Sequence, residues 1–182
     1  MTVSEYVENL NERYQTGISR EHSYRGDLQT LLESMLDNVL VTNEPARIEC
    51  GAPDYILTKK GVPVGYMEAK DIGEPLKGKK HKEQFERYKE SLPNLIITDY
   101  LDFHLYREGE FVTSISIAET DNGTIASKTE KFDQFKDLIN DFATHTAQTI
   151  TSSSKLSKMM AGKARLLSTI IENAVEGDED AD

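Results

Sequence analysis

An apolar stripe between residues 28 and 40 constrains the fold more than any other feature of the sequence. Seven apolar residues recur there at intervals of three and four positions: Leu28, Leu31, Leu32, Met35, Leu36, Val39 and Leu40. This spacing places them on one face of an α-helix and predicts an amphipathic helix. Apolar residues at the same spacing predict a short first helix over residues 2–16.

Beyond Pro45 the pattern changes from helical repeats to short extended segments. Six strands are predicted, each bounded by turn residues or by a helix: 47–50, 54–58, 62–68, 94–98, 102–107 and 111–117. A polar helix that ends near Glu90 separates the third strand from the fourth, and another helix covers 131–145. This order predicts an α/β fold with a mixed central sheet flanked by helices.

Length and composition limit the number of domains. The chain has 182 residues, of which 37% are hydrophobic and 29% are charged, which is typical of one globular domain with an appendage. We expect the domain to cover residues 1–145, with its core at about 20–120. A Ser/Thr-rich linker followed by an amphipathic helix is predicted at 146–175, and a disordered acidic tail at 176–182.

The sequence argues against several classes of protein. We expect no membrane span, because no apolar run approaches about 18 residues. We expect no signal peptide, because no basic segment followed by an apolar one begins at Met1. The single cysteine, Cys50, argues against a disulfide framework and predicts a reducing, cytoplasmic location. The net charge of −11 argues against polyanion binding over the whole surface but leaves room for a local basic groove. The residues present include no phosphate-binding loop, no methyltransferase cofactor loop and no histidine spacing that predicts zinc.

Asp54, Glu68 and Lys70 form the pattern with the clearest chemistry. Asp54 opens one predicted strand and Glu68 closes the next, so an antiparallel pair would bring these two ends together. Adjacent carboxylates repel unless a cation lies between them, and oxygen ligands suit Mg²⁺. Lys70 lies two residues beyond Glu68, on the same face of an extended strand. The three predict a site that binds Mg²⁺, orients a water and neutralises a phosphate; a solvated salt bridge is the alternative.

These residues resemble the motifs of the PD-(D/E)xK nuclease superfamily. Asp54 follows a proline, and Glu68 begins an acid-x-Lys triplet that ends at Lys70. Gln84 and Tyr88 match the Gln-x-x-x-Tyr motif that several branches carry on the helix after the catalytic strand. Together with an acid on the opening helix, Glu33, they give four motif elements in the family's order, which makes the resemblance fairly specific.

The surrounding sequence narrows the resemblance. Glu33 matches an additional acid that those branches place on the opening helix. The segments 21–28 and 95–101 are similar to Mrr-like nuclease domains that precede a helicase or an N6-adenine methyltransferase in restriction–modification polypeptides. The resemblance covers about residues 20–120 and implies a restriction-endonuclease-like core. It also implies that the protein is prokaryotic and cytoplasmic. The helix within 146–175 would then couple the nuclease to its next domain.

The resemblance also implies roles for the matching residues. Asp54 and Glu68 would bind Mg²⁺, or Mn²⁺ as a substitute, together with the carbonyl of Ala69, and Glu33 would assist directly or through water. Lys70 would position or activate the attacking water and stabilise the developing charge. Gln84 would orient the metal site or contact the DNA backbone. For Glu33, a solvated acid at the edge of its helix is the alternative.

Basic residues near the triplet predict where a nucleic-acid backbone would lie. Four lysines follow it closely: Lys77, Lys79, Lys80 and Lys82. A solvated flexible loop is the alternative for this group. Arg25 is predicted either to contact phosphate or to act as a capping or packing residue. Tyr88 is predicted either to contact phosphate or to pack in the core.

Two functions therefore remain open. The first is a Mg²⁺-dependent endonuclease domain that cleaves double-stranded DNA as part of a restriction–modification enzyme. Methyltransferase, helicase or specificity domains would lie in the same or a partner chain, and cutting both strands would favour a homodimer during cleavage. The second is a catalytically silent nucleic-acid-binding or docking module with the same fold. The excess of acidic over basic residues favours the second function, because it weakens binding to DNA. The presence of Asp54, Glu68 and Lys70 together favours the first.

Overall fold

The structure, a computed structural model, describes residues 1–46, 48, 50–78 and 80–145, together with positions 157, 160, 161 and 164. Contacts divide the chain into two compact units, Met1–Thr146 and Ala147–Asp182. All elements named below belong to the first unit. The predicted linker, coupling helix and acidic tail lie outside the described residues, apart from positions 157, 160, 161 and 164.

Four α-helices and eight β-strands form in the described part of the first unit. The helices are α1 (Val3–Gln15), α2 (Glu21–Met35), α3 (Lys82–Ser91) and α4 (Phe132–Thr144). The strands are β1 (Val39–Asn43), β2 (Tyr55–Lys59), β3 (Val62–Ala69), β4 (Asn94–Thr98), β5 (Asp102–Arg107), β6 (Glu110–Ser116), β7 (Ala118–Asp121) and β8 (Thr124–Ser127). A 3-10 turn, Thr129–Lys131, precedes α4. No described helix is long and apolar enough to cross a bilayer.

Strands β1 to β6 form one mixed sheet in chain order. Neighbouring strands are antiparallel except β3 and β4, which run parallel because α3 forms the crossover between them. β7 and β8 form a separate hairpin beside α1, where Asn11 accepts a hydrogen bond from the backbone N–H of Ile125 at 2.8 Å. The predicted α/β class is confirmed, and the sheet is compatible with a restriction-endonuclease-like core.

Helices cover both faces of this sheet. Residues of α1, α2 and α4 pack into one apolar cluster with the sheet, and residues of α3 pack into another. β4 lies between them: Ile96 joins the first cluster, while Leu95 and Ile97 join the second. All five residues of β4 are buried, and the apolar run at its centre, residues 95–97, is typical of a strand covered on both faces.

The predicted helix at 28–40 is too long at its C-terminal end. α2 ends at Met35, Asn38 adopts a left-handed conformation with φ of 60°, and Val39 and Leu40 belong to β1. An asparagine tolerates this conformation, which reverses the chain between the helix and the strand. Leu40 is exposed, so it extends the apolar stripe in the sequence but not in the folded protein.

The start of α2 also differs from the prediction, since the helix begins at Glu21, seven residues before the apolar stripe. Asp71 Oδ1 accepts a hydrogen bond from the backbone N–H of Glu21 at 2.5 Å and so caps the helix from a distant loop. The predicted strand at 47–50 reduces to an isolated bridge between Ile48 and Gly51, with Arg47 and Glu49 outside the described residues.

Gly65 marks a close contact between β3 and α4. A Cβ atom at this position would lie 2.8 Å from Cε1 and Cε2 of the Phe142 ring, and closer still to Cζ. Asn94 Nδ2 donates hydrogen bonds to the carbonyls of Val64 and Phe142, both at 2.8 Å, so the ring cannot easily withdraw. The sheet and α4 are therefore packed too tightly here for a side chain.

Gly65→Ala is expected to lower the free energy of unfolding by about 1–3 kcal/mol, because the added methyl group overpacks the core. Urea unfolding of the wild type and the variant measures this change. Gly26→Ala is the matched control: Gly26 is exposed on α2, a Cβ there would contact nothing within 4 Å, and the change should stabilise the helix by up to about 1 kcal/mol. An unfolding free energy for Gly65→Ala equal to that of the wild type would contradict the packing described.

Candidate active site

The pairing of β2 with β3 brings Asp54 beside Glu68 and Ala69. Tyr55 pairs with Met67, and the backbone N–H of Ala69 donates a hydrogen bond to Asp54 Oδ2 at 2.8 Å. The backbone N–H of Lys70 then bonds to the β4 carbonyl of Thr98 at 2.9 Å, which fixes the end of β3. The structure therefore brings the three predicted residues together at the end of the β2–β3 hairpin.

All three side chains are buried. The exposed fractions are 9% for Asp54, 2% for Glu68 and 8% for Lys70. Lys70 Nζ lies 2.5 Å from Glu68 Oε1, and Gln84 Nε2 donates to the same oxygen at 2.7 Å. The solvated salt bridge considered as an alternative does not describe this arrangement, because water has little access to it.

The second carboxylate oxygen of Glu68 has a different environment. Glu68 Oε2 is buried and accepts no hydrogen bond from the described residues. The pKa of Glu68 is raised to about 7, mainly by burial and then by the negative charge of Asp54, while Lys70 opposes the rise. A buried acceptor without a donor is costly, so this oxygen is suited to a cation.

Asp54 is balanced by a different cation. Arg25 Nη2 contacts both Asp54 Oδ1 and Glu21 Oε1, the latter at 2.6 Å, and Arg25 Nη1 contacts Glu44 Oε1 at 2.8 Å. Burial raises the pKa of Asp54, while the Ala69 N–H and the Arg25 guanidinium act in the opposite direction. The prediction that Arg25 contacts phosphate does not fit this structure, because its side chain is enclosed by three carboxylates.

Glu21, not Glu33, is the acid that α2 brings to this site. Glu33 is exposed, hydrogen-bonds to Gln29 at 3.2 Å and borders a surface depression with Lys60, at the far end of β2 from Asp54. Twelve residues separate the two glutamates, or about 18 Å along the helix axis. The predicted role of Glu33 in the metal site is therefore wrong, and the solvated-acid alternative describes it.

Three buried phenols hold the start of α2 in place. Tyr100 donates to the carbonyl of Glu21 at 2.8 Å, Tyr55 donates to the carbonyl of Arg25 at 3.2 Å, and Tyr6 donates to the carbonyl of Tyr100 at 3.0 Å. The sequence offers no local signal for these contacts, because they join residues 30 to 94 positions apart. They position Glu21 and Arg25 against the β2–β3 hairpin.

The remaining residues predicted to contact DNA lie on α3 and in the segment that precedes it. Tyr88 is 1% exposed and packs in the apolar cluster beneath α3, so the packing alternative is correct and the phosphate contact is not. Lys77, Lys80 and Lys82 are exposed, as a DNA-facing surface requires. Lys77 Nζ lies 4.7 Å from the ring centre of Phe111, and Lys79 lies outside the described residues.

The donor set at this site fits a hard divalent cation with few protein ligands. Within residues 1–46, 48, 50–78 and 80–145, no three His, Cys, Asp or Glu side chains cluster as metal ligands. Asp54 and Glu68 nevertheless converge, and Glu68 Oε2 has no donor within this described part of the chain. Mg²⁺ commonly binds through one or two carboxylates and retains several waters. Two carboxylates with a free acceptor oxygen match that requirement.

The similarity of this chain to known proteins is a similarity of fold. No protein-family model and no curated protein matches the chain. Seven chains of known structure match it. One of these comes from a cryo-EM structure of a DrdV–DNA complex, with a TM-score of 0.56 and 20% sequence identity. The match covers 78% of this chain but 13% of the DrdV chain, so the likeness concerns a small part of that protein.

Proposed function

We propose that this chain is a metal-dependent DNA endonuclease domain of the PD-(D/E)xK type, acting as the cleavage module of a restriction–modification enzyme. The observation that carries the proposal is the buried group of Asp54, Glu68 and Lys70, in which Glu68 Oε2 accepts no hydrogen bond from any residue that the structure describes. The fold likeness to a protein bound to DNA supports it. Paired carboxylates that hold a metal, with a cationic side chain beside them, can supply the activated water and the charge stabilisation that hydrolysis of a phosphodiester needs.

The residues would divide the work as follows. Asp54, Glu68 and the Ala69 carbonyl would hold Mg²⁺ or Mn²⁺. When bound, the metal supplies charge neutralisation and a more acidic water. Lys70 would position the attacking water and neutralise charge that develops on the phosphate. Gln84 would keep the Glu68 carboxylate in orientation through its 2.7 Å hydrogen bond.

DNA would approach over the segment between β3 and α3. This segment connects Lys70 to the helix that carries Gln84, so its exposed lysines lie next to the site in the chain. Lys77, Lys80 and Lys82, with Lys79, would contact the backbone of double-stranded DNA. Because the net charge is −11, the affinity of this chain alone for DNA would be low. Sequence specificity would come from further domains, such as a methyltransferase, a helicase or a specificity domain. A homodimer would form during cleavage of both strands.

Supercoiled-plasmid cleavage tests the proposal. The wild type should produce nicked or linear DNA with Mg²⁺ or Mn²⁺ and none with EDTA, and Asp54→Ala should abolish both products. Asp121→Ala, which removes an exposed carboxylate from the β7–β8 hairpin, is the control and should cut like the wild type. Cleavage that persists in EDTA, or in Asp54→Ala, would contradict the proposal.

A catalytically silent nucleic-acid-binding or docking module is the second candidate function. The net charge of −11 favours it, and so does the ion pair that Arg25 makes with Asp54, since this pair balances one carboxylate without a metal. Calorimetry with Mg²⁺ distinguishes the two candidates. Binding that disappears in Asp54→Ala favours the nuclease, and no binding by the wild type favours the silent module.

A further inference from the structure

A single buried guanidinium is shared by three carboxylates beside the candidate metal site. Arg25 is 8% exposed, and its terminal nitrogens contact Asp54, Glu21 and Glu44. Its Nε atom makes no hydrogen bond with the described residues. Buried carboxylates need a compensating cation, and Arg25 supplies one without any metal.

Both oxygens of Asp54 are already engaged. Oδ2 accepts from the Ala69 N–H, and Oδ1 contacts Arg25 Nη2. A divalent cation that binds Asp54 and Glu68 would therefore lie close to a second positive charge. Like charges at such a distance in a buried site repel strongly, so the two cations compete for Asp54.

We propose, on the basis of the function proposed above, that Arg25 is a resident competitor of the divalent metal and leaves Asp54 when the metal binds. Glu21 and Glu44 give the displaced guanidinium two remaining partners. The Glu44 side chain is 62% exposed, so it is free to follow Arg25 outward. The competition stabilises the metal-free protein and raises the metal concentration at which the site fills.

Direct measurement of metal binding tests the competition without recourse to cleavage. Mn²⁺ alone is the probe, and electron paramagnetic resonance measures the free ion. Arg25→Gln should bind Mn²⁺ at least about tenfold more tightly than the wild type, since close charge pairs have coupling energies of this order or larger. Arg13→Gln is the matched control. Arg13, on α1, forms a 2.6 Å ion pair with buried Asp27, which lies on α2 as Arg25 does. The variant breaks this pair and should bind Mn²⁺ like the wild type.

Thermal unfolding supplies a second readout. In EDTA, Arg25→Gln should melt at a lower temperature than the wild type, because it leaves buried carboxylates without their cation. Saturating Mn²⁺ should restore most of this loss, so that the metal raises the melting temperature more in Arg25→Gln than in the wild type. Arg13→Gln should lower the melting temperature equally with and without Mn²⁺.

The comparison of Glu44→Gln with the wild type does not require Arg25→Gln to fold, and Glu44 itself is exposed, so its replacement should leave the fold intact. Without Glu44 the displaced guanidinium loses a partner, so Mn²⁺ should bind more weakly to Glu44→Gln than to the wild type. In the Arg25→Gln background the same change should have little effect. A double-mutant cycle then assigns the effect of Glu44 to Arg25.

The outcomes separate this inference from the function on which it rests. If Arg25→Gln binds Mn²⁺ no more tightly than the wild type, or if Glu44→Gln binds as tightly as the wild type, the competition is overturned and the metal site stands. If neither the wild type nor Arg25→Gln binds Mn²⁺, the proposed nuclease function falls and the inference falls with it.

Discussion

Lys70→Met is expected to lower the rate of Mg²⁺-dependent plasmid cleavage by about 10²–10³-fold, the usual loss when one buried stabilising group is removed from a site of charge development. Lys70 Nζ lies 2.5 Å from Glu68 Oε1, within a site from which water is largely excluded. Methionine fills the space of the lysine stem but carries no charge. The phosphate would then lose a nearby cation, and Glu68 would keep the hydrogen bond from Gln84 but lose the one from Lys70.

Single-turnover nicking of supercoiled plasmid measures this loss, and circular dichroism checks that the variant remains folded. Lys136→Met is the matched control, since Lys136 is exposed on α4 and pairs with Asp133, also exposed, at 2.9 Å. It should cut at the wild-type rate. If folded Lys70→Met cuts within a few-fold of the wild type, Lys70 has no part in the reaction, and the proposed mechanism is wrong.

Glu68→Gln is expected to remove a pH dependence from the stability of the metal-free protein. The pKa of Glu68 is raised from its ordinary value of 4.5 to about 7, mainly by burial and then by the charge of Asp54. The folded protein therefore binds this proton more tightly than the unfolded chain does. The resulting stabilisation is complete below about pH 4.5 and is lost as the pH rises through about 7. A shift of this size corresponds to on the order of 3 kcal/mol.

Glutamine resembles the protonated carboxyl at all pH values, so Glu68→Gln should match the wild type at pH 5 and exceed it in stability at pH 8. Urea unfolding in EDTA at several pH values measures the difference between the two proteins. Glu33→Gln is the control, because it removes an exposed carboxyl at the far end of the sheet. Parallel pH profiles for the wild type and Glu68→Gln would show that Glu68 ionises normally in the folded protein.

Local sequence patterns were sufficient to predict the centre of the fold. The strand predicted at 94–98 has the bounds of β4, and the strands predicted at 102–107 and 111–117 agree with β5 and β6 to within one residue. Asp54, Glu68 and Lys70 come together through an adjacent hairpin. In each case the signal is local: the contacts join residues that are close in the chain, or the apolar residues recur at the spacing of a single helix or strand.

The parts that the sequence could not predict depend on distant contacts. α2 begins at Glu21 because Asp71, fifty positions away, caps its first turn. Glu21 therefore looks like part of a loop, and Glu33 looks like the better candidate acid on the helix. The β7–β8 hairpin was missed because its four-residue strands are mostly exposed and lack an apolar alternation. Helix caps and edge hairpins are decided by tertiary packing, which periodicity does not report.

The phenol contacts at the start of α2 have a consequence for how the site responds to its ligands. Because Tyr55 and Tyr100 bind the carbonyls of Arg25 and Glu21, the backbone beneath these two side chains cannot shift without breaking buried hydrogen bonds. Only torsions of the side chains remain free to change. Exchange of the site between states would therefore proceed through side-chain rotamers on a fixed backbone, not through movement of α2 or of the β2–β3 hairpin.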